Sequence, residues 1–211
     1  MAFLTSSVAV AADVESLEAD KSKLFELHWK RPFQPCDDDC YVGFYAGAFF
    51  ATGFVDAFTF QVLAPDFDLD NDFIAAVTAS RRILTAFDHF HIEIEVGAGQ
   101  RFGQQHEQEF WFAPYLRFDG FPWNRYLHTS VAINTGLNYA TGVSEVEEIR
   151  GGPAPGSRLL HFLSPELTLA LPQLPDYQGT VRLHHRSGAF GVVSDSKGGS
   201  QYLTFGLRKR F

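Results

Sequence analysis

No run of about 18 uncharged apolar residues occurs anywhere in the chain, which excludes a membrane-spanning helix. Charged residues are sparse, 20% against 45% apolar, and this balance excludes a disordered polyelectrolyte. Basic residues are the minority, 17 Lys and Arg against 25 Asp and Glu, and they form no stripe. At a formal net charge of -8 the chain has nothing with which to displace counterions from nucleic acid, and no such partner is expected. No Gly-rich loop followed by Lys offers a phosphate cradle. What is abundant is aromatic: 22 Phe, with 18 Gly, in 211 residues. Together with regular alternation of apolar and polar residues, this favours β structure in one domain or one small barrel.

The ends differ from the middle. Residues 1–12 carry a short apolar run and then Ala9-Val10-Ala11, as in the late part of a secretory signal with an A-x-A cleavage site, although a basic n-region is lacking. Residues 13–40 precede the strands, and helical character over 14–27 suggests a periplasmic helix ending near Pro32. The only cysteines, Cys36 and Cys40, stand in PCDDDC. They read either as a metal clip with Asp37, Asp38 and Asp39 or as a small-loop disulfide. An exported chain with no second Cys pair favours the disulfide.

Eight period-two segments follow, over residues 41–53, 72–84, 89–101, 107–118, 125–141, 157–171, 179–190 and 200–211. Most reach the roughly ten residues a tilted strand needs to cross a bilayer. In the third, Phe90, Ile92, Ile94, Val96 and Ala98 share one face, and His89, His91, Glu93 and Glu95 the other. In the sixth, Leu159, Leu163, Leu167, Leu169 and Leu171 oppose Ser164, Glu166 and Thr168. In the seventh, Arg182, His184 and Arg186 form the polar row. A small barrel interior is filled by side chains, so Glu93, Glu95 and Glu166 are expected to meet Arg182 and Arg186 inside. Alternation alone also fits a soluble sandwich with a wet charged face. The connections at 54–71 and 142–156 are long, while those at 85–88, 119–124 and 172–178 are short, the asymmetry of outer-membrane barrels. The closing row Leu203, Phe205, Leu207 and Phe211 fits the same class. Tyr41, Tyr45, Trp111, Trp123, Tyr126, Tyr139 and Tyr202 are candidates for the membrane interface or the lumen. The expectation is an all-β, eight-stranded antiparallel up-and-down transmembrane β-barrel over residues 41–211, in the bacterial outer membrane.

Against that frame two polar residues break the outward apolar row of the seventh strand, Val181, Leu183, His185, Ser187 and Ala189. Placing His184 and Arg186 inside directs His185 and Ser187 toward lipid. An ionisable group there is costly and marks a candidate functional site. A hydroxyl beside an imidazole is the minimal activated nucleophile. The spacing of His89 and His91 also admits a metal, but with no third ligand of defined spacing they read as structural lumen residues, and neither a metal nor a cofactor is expected.

The stretch VRLHHRSGAFGVVSDSKGGSQYLTFGLRKRF resembles the C-terminal part of the lipid A 3-O-deacylase family, best over the last two strands. The resemblance implies an eight-stranded outer-membrane barrel with a Ser-His-Glu arrangement on its lipid-facing wall. Carried over by position, His185 is the general base, Ser187 the nucleophile, and lipid A in the outer leaflet the substrate. Two departures stand out. Gly188 takes the place of the family's Asn after the Ser. Early in the last strand, where the acid is expected, the chain reads Gly198, Gly199, Ser200 and Gln201, with no acidic residue after Asp195. Gln201 shares the outward parity and can hydrogen-bond the imidazole without supplying charge; Asp195 is the substitute acid. The alternatives from other classes are a non-catalytic small outer-membrane barrel with a structural or partner-binding role and a soluble exported ligand-binding barrel.

Overall fold

The computed structural model describes residues 27–30, 33–53, 56, 59 and 69–211. The expected signal at 1–12, the expected helix up to residue 26 and most of the long connection at 54–71 lie outside the described residues.

A short strand β1 (Leu27–Trp29) precedes the wall. The wall comprises β2 (Cys40–Phe50), β3 (Leu69–Ala86), β4 (Phe90–Phe102), β5 (Gln108–Phe118), β6 (His128–Asn134) continued by β7 (Gly136–Ala140), β8 (Leu159–Leu163) continued by β9 (Pro165–Ala170), β10 (Tyr177–Ser187) and β11 (Gly199–Arg210). Counting each continued pair as one stave, eight antiparallel staves pair in chain order, and β11 returns to β2 with Leu203 opposite Ala48. The sheet is therefore closed, which leaves no unpaired stave edge for another chain. The long connections all lie at one end, together with the 103–107 turn, and the turns at 87–89, 119–127 and 171–176 lie at the other. Among the described residues no helix is long and apolar enough to cross a membrane.

Alternation decides which face is inside. Phe44, Val77, Val96, Phe112 and Leu207 are exposed on the outer surface, whereas Glu93, Glu95, Glu109, Glu166, Arg101, Arg182 and Arg186 are buried in the lumen. An apolar exterior around a charged interior is the inverse of a soluble barrel, and it fits a lipid environment.

The lumen charges meet as pairs that distance along the chain hides. Glu95 accepts two hydrogen bonds from Arg182, at 3.0 and 2.9 Å, and others from Trp111 and Tyr115. Glu166 takes Arg182 and, at 2.6 Å, Arg117. The expected network is thus present around Arg182 but differs elsewhere. Glu93 is held by Arg117 at 3.1 Å and Arg208 at 2.6 Å. Arg186 instead donates to Asn138 and to the Ser157 and Arg158 carbonyls, and pairs with Glu147 at 3.3 Å. Glu147 comes from a helix in the long 142–156 connection, α1 (Glu145–Gly151), whose N-cap Ser144 accepts from the Glu147 N–H. It reaches into the mouth to accept from Arg101 and Ser200. Tyr41, Tyr45, Trp111 and Tyr202 line the lumen, while Trp123, Tyr126 and Tyr139 are exposed.

At the short-turn end, β1 extends the sheet by pairing Leu27 with Ala86. Cys36 and Cys40 form a disulfide, not a metal clip. Asp39 beside it accepts from Arg81 Nε at 3.0 Å and from the Asp37 N–H. In the 119–127 turn Asp119 takes His91 at 2.9 Å and His89 at 3.2 Å, so the two histidines are spanned by a carboxylate.

Candidate active site

Consecutive residues of β10 alternate across the wall. His184 and Arg186 are fully buried inside. His185 and Ser187 therefore point outward, near the end of the barrel that carries the long connections. The strand stops at Ser187 instead of continuing to Phe190, because Ala189 and Phe190 adopt left-handed φ of 52° and 56°. The chain then folds back so closely that a Cβ on Gly188 would stand 2.1 Å from the Ser196 carbonyl oxygen. That contact is why Gly follows the Ser here.

The neighbouring staves supply the rest of the patch. On β11, Gln201 lies directly opposite His185 and Gly199 opposite Ser187. The Gln201 side-chain N–H donates to the Thr52 carbonyl. The start of the first long connection thus covers Gln201, which is only 2% exposed although it faces outward. Gly199 has no room for a side chain: a Cβ there would lie 2.5 Å from the Arg186 carbonyl oxygen. An acid opposite Ser187 would need the two backbones to move apart. Asp195 is exposed on the 188–198 connection.

On the other side, β8 places His161 directly opposite Ser187 and Leu163 opposite His185. His161 Nε2 lies 2.8 Å from the hydroxyl of Thr135, at the junction of β6 and β7. Sequence reasoning passed over His161. Its signal was present, because it interrupts the outward row between Leu159 and Leu163 as His185 interrupts its own. The outer wall therefore carries a polar strip, Thr135, His161, Ser187, His185 and Gln201, in an otherwise apolar surface. Chemically it offers one hydroxyl nucleophile flanked by two imidazoles, with an amide and a second hydroxyl to orient them.

The inward neighbour His184 has a separate role. Its Nε2 lies 2.8 Å from Glu109 and its Nδ1 2.7 Å from the Tyr45 hydroxyl, and Arg101 bonds Glu109 in turn at 2.5 Å. This set is sealed in the lumen and faces no substrate.

Outside the membrane-spanning strands, Asp119 and Asp39 are both held below the usual carboxylate range. Burial opposes ionisation at each. It is outweighed at Asp119 by hydrogen bonds from His91 and His89, and at Asp39 by the Asp37 N–H, Arg81 and the charge of Lys30.

No protein-family model matches the chain, and no curated protein matches it in sequence. Solved structures do share its fold. The outer membrane enzyme PagL superposes with a TM-score of 0.52 at 14% identity, covering 81% of this chain and 99% of PagL. Neisserial surface protein A (NspA) superposes with a TM-score of 0.50 at 13% identity, covering 84% of this chain and 100% of NspA. The fold is that of bacterial outer-membrane barrels, and the apolar exterior agrees with that location.

Proposed function

We propose that the chain is an outer-membrane esterase that hydrolyses an ester-linked acyl chain of lipid A. The observation that carries this reading is the outward patch of His185, Ser187 and Gln201, which lies in the half of the wall nearest the long connections. A nucleophile there meets only what lies in the membrane, and in the outer leaflet the abundant ester is that of lipid A. The similarity of the last two strands to lipid A 3-O-deacylases supports the same substrate. An apolar groove of about 490 Å³ on the outer wall, lined by Leu183, Pro165, Ile133, Leu167 and Val181, begins two residues below His185 and can take an acyl chain.

In this mechanism Ser187 Oγ attacks the ester carbonyl carbon while His185 takes the hydroxyl proton. Collapse of the intermediate breaks the bond to the sugar oxygen, which receives that proton. Water then attacks the acyl-enzyme with His185 again as base, releasing the fatty acid and restoring Ser187. Gln201 orients the imidazole as a neutral acceptor. No cofactor or metal enters the mechanism. Mass spectrometry of lipid A from an expressing strain tests the proposal. One hydroxyacyl chain is lost with the native protein and retained with Ser187→Ala or His185→Ala. Asp195→Asn leaves the loss intact if Gln201 alone orients the base, and abolishes it if Asp195 is the acid.

The second reading is a non-catalytic barrel, favoured by the backbone contact at Gly199 that excludes an acid opposite Ser187. Under that reading lipid A mass is unchanged by expression.

A further inference from the structure

We propose that His161 is a further catalytic residue of this site, the hydrogen-bond donor that stabilises the oxyanion formed when Ser187 attacks an ester; this rests on the deacylase reading above. The register puts His161 directly across from Ser187. Opposed residues on one face of an antiparallel pair have Cβ atoms about 4.5–5.5 Å apart. His185 stands two residues along the same strand, a separation of about 6.5 Å. His161 is thus the residue directly across the register from Ser187, and the oxyanion forms two bonds from Ser187 Oγ, on the ester carbon that it attacks.

The second observation is the contact with Thr135. Its hydroxyl lies 2.8 Å from His161 Nε2. When that hydroxyl donates, the ring proton resides on Nδ1, which remains the ring's donor. The ring then acts as a neutral donor, which suits a hydrocarbon surface where an imidazolium is costly. Donors aimed at developing negative charge in a dry site stabilise the transition state more than the ground state. The role also accounts for two polar side chains, His161 and Thr135, in an apolar wall.

The experiment compares kcat and KM of the full-length protein on lipid A in detergent micelles for the native chain, Ser187→Ala, His161→Leu, His161→Asn and Thr135→Val. The Asn amide nitrogen takes roughly the place of Nδ1 and donates, but it cannot accept a proton as a base. Loss of one such donor lowers kcat by about 10²–10³-fold, with KM little changed, and this is the expectation for His161→Leu. His161→Asn recovers about tenfold or more of that loss and keeps the native pH profile, because His185 still carries the proton. Thr135→Val falls by less than His161→Leu. A shift in gel migration between unboiled and boiled samples shows that each barrel has closed; if His161→Leu does not close, His161→Phe serves in its place. His161→Asn as inactive as His161→Leu, or His161→Leu as active as the native chain, overturns the assignment. In that outcome, native activity that depends on Ser187 leaves the deacylase reading standing. A native chain with no activity overturns both.

Discussion

His184 and His185 are adjacent in the chain and sit on opposite sides of the barrel wall. One is sealed between Tyr45 and Glu109, and the other faces Gln201 on the outer surface. A single backbone step separates an imidazole of the lumen from one of the outer wall, because side chains of a strand alternate between faces.

Substitution separates the two roles. His185→Ala abolishes deacylation and costs about 1 kcal/mol or less. His184→Ala leaves Glu109 short of a buried partner and costs about 2 kcal/mol, while each folded molecule retains its activity. Urea unfolding in detergent, followed by Trp fluorescence, and the lipid A assay give the two readouts.

The missing acid can be restored at one position and not at another. Gln201→Glu places a carboxylate opposite His185 where a side chain is already accommodated, and kcat rises about tenfold or more, as an orienting charge steadies the imidazolium. Gly199→Glu drives a Cβ against the Arg186 carbonyl. It destabilises the barrel by about 2 kcal/mol without raising activity. Rates and unfolding midpoints of the two variants, measured side by side, check this contrast.

Arg182 is the shared cation of Glu95 and Glu166. Arg182→Met strands the buried Glu95 carboxylate, while Glu166 keeps Arg117, and costs about 3–5 kcal/mol. Adding Glu95→Gln recovers much of it, since the stranded charge is gone. Unfolding in detergent distinguishes this from an additive loss.

Asp119 makes the short-turn end sensitive to acid. Its folded pKa is depressed, so its contribution is complete above the ordinary carboxylate value and is lost as pH falls through the lower folded value. Its side chain is 33% exposed, and solvent screening limits the effect to about 1 kcal/mol. Asp119→Asn costs that much at neutral pH and nothing in strong acid, which unfolding measured across the acid range reports.

Particular residues show how far the chain is legible without its fold. The alternation of Phe90, Ile92, Ile94 and Val96 against His91, Glu93 and Glu95 is local and gives β4 its two faces directly. The excess length assigned to the seventh strand reflects Ala189 and Phe190, whose composition continues the pattern while their backbone leaves it. Glu93 was expected among Glu95, Glu166, Arg182 and Arg186, but it meets Arg117 on the adjacent β5 and Arg208 on β11, three staves away across the lumen. His161 was legible as a break in an apolar row, but nothing in its own segment tied it to Ser187.

The amino-acid order by itself determined the strand count, which side chains of a strand share a face, and that His185 and Ser187 lie on the face opposite His184 and Arg186. All of these follow from a period of two, which needs only neighbours in the chain. Tertiary structure decided which residues stand opposite or meet across staves: Gln201 opposite His185, His161 opposite Ser187, Arg182 with two glutamates. It also decided that Gly199 admits no side chain. Those pairings depend on the register and closure of the whole sheet, which no single segment encodes.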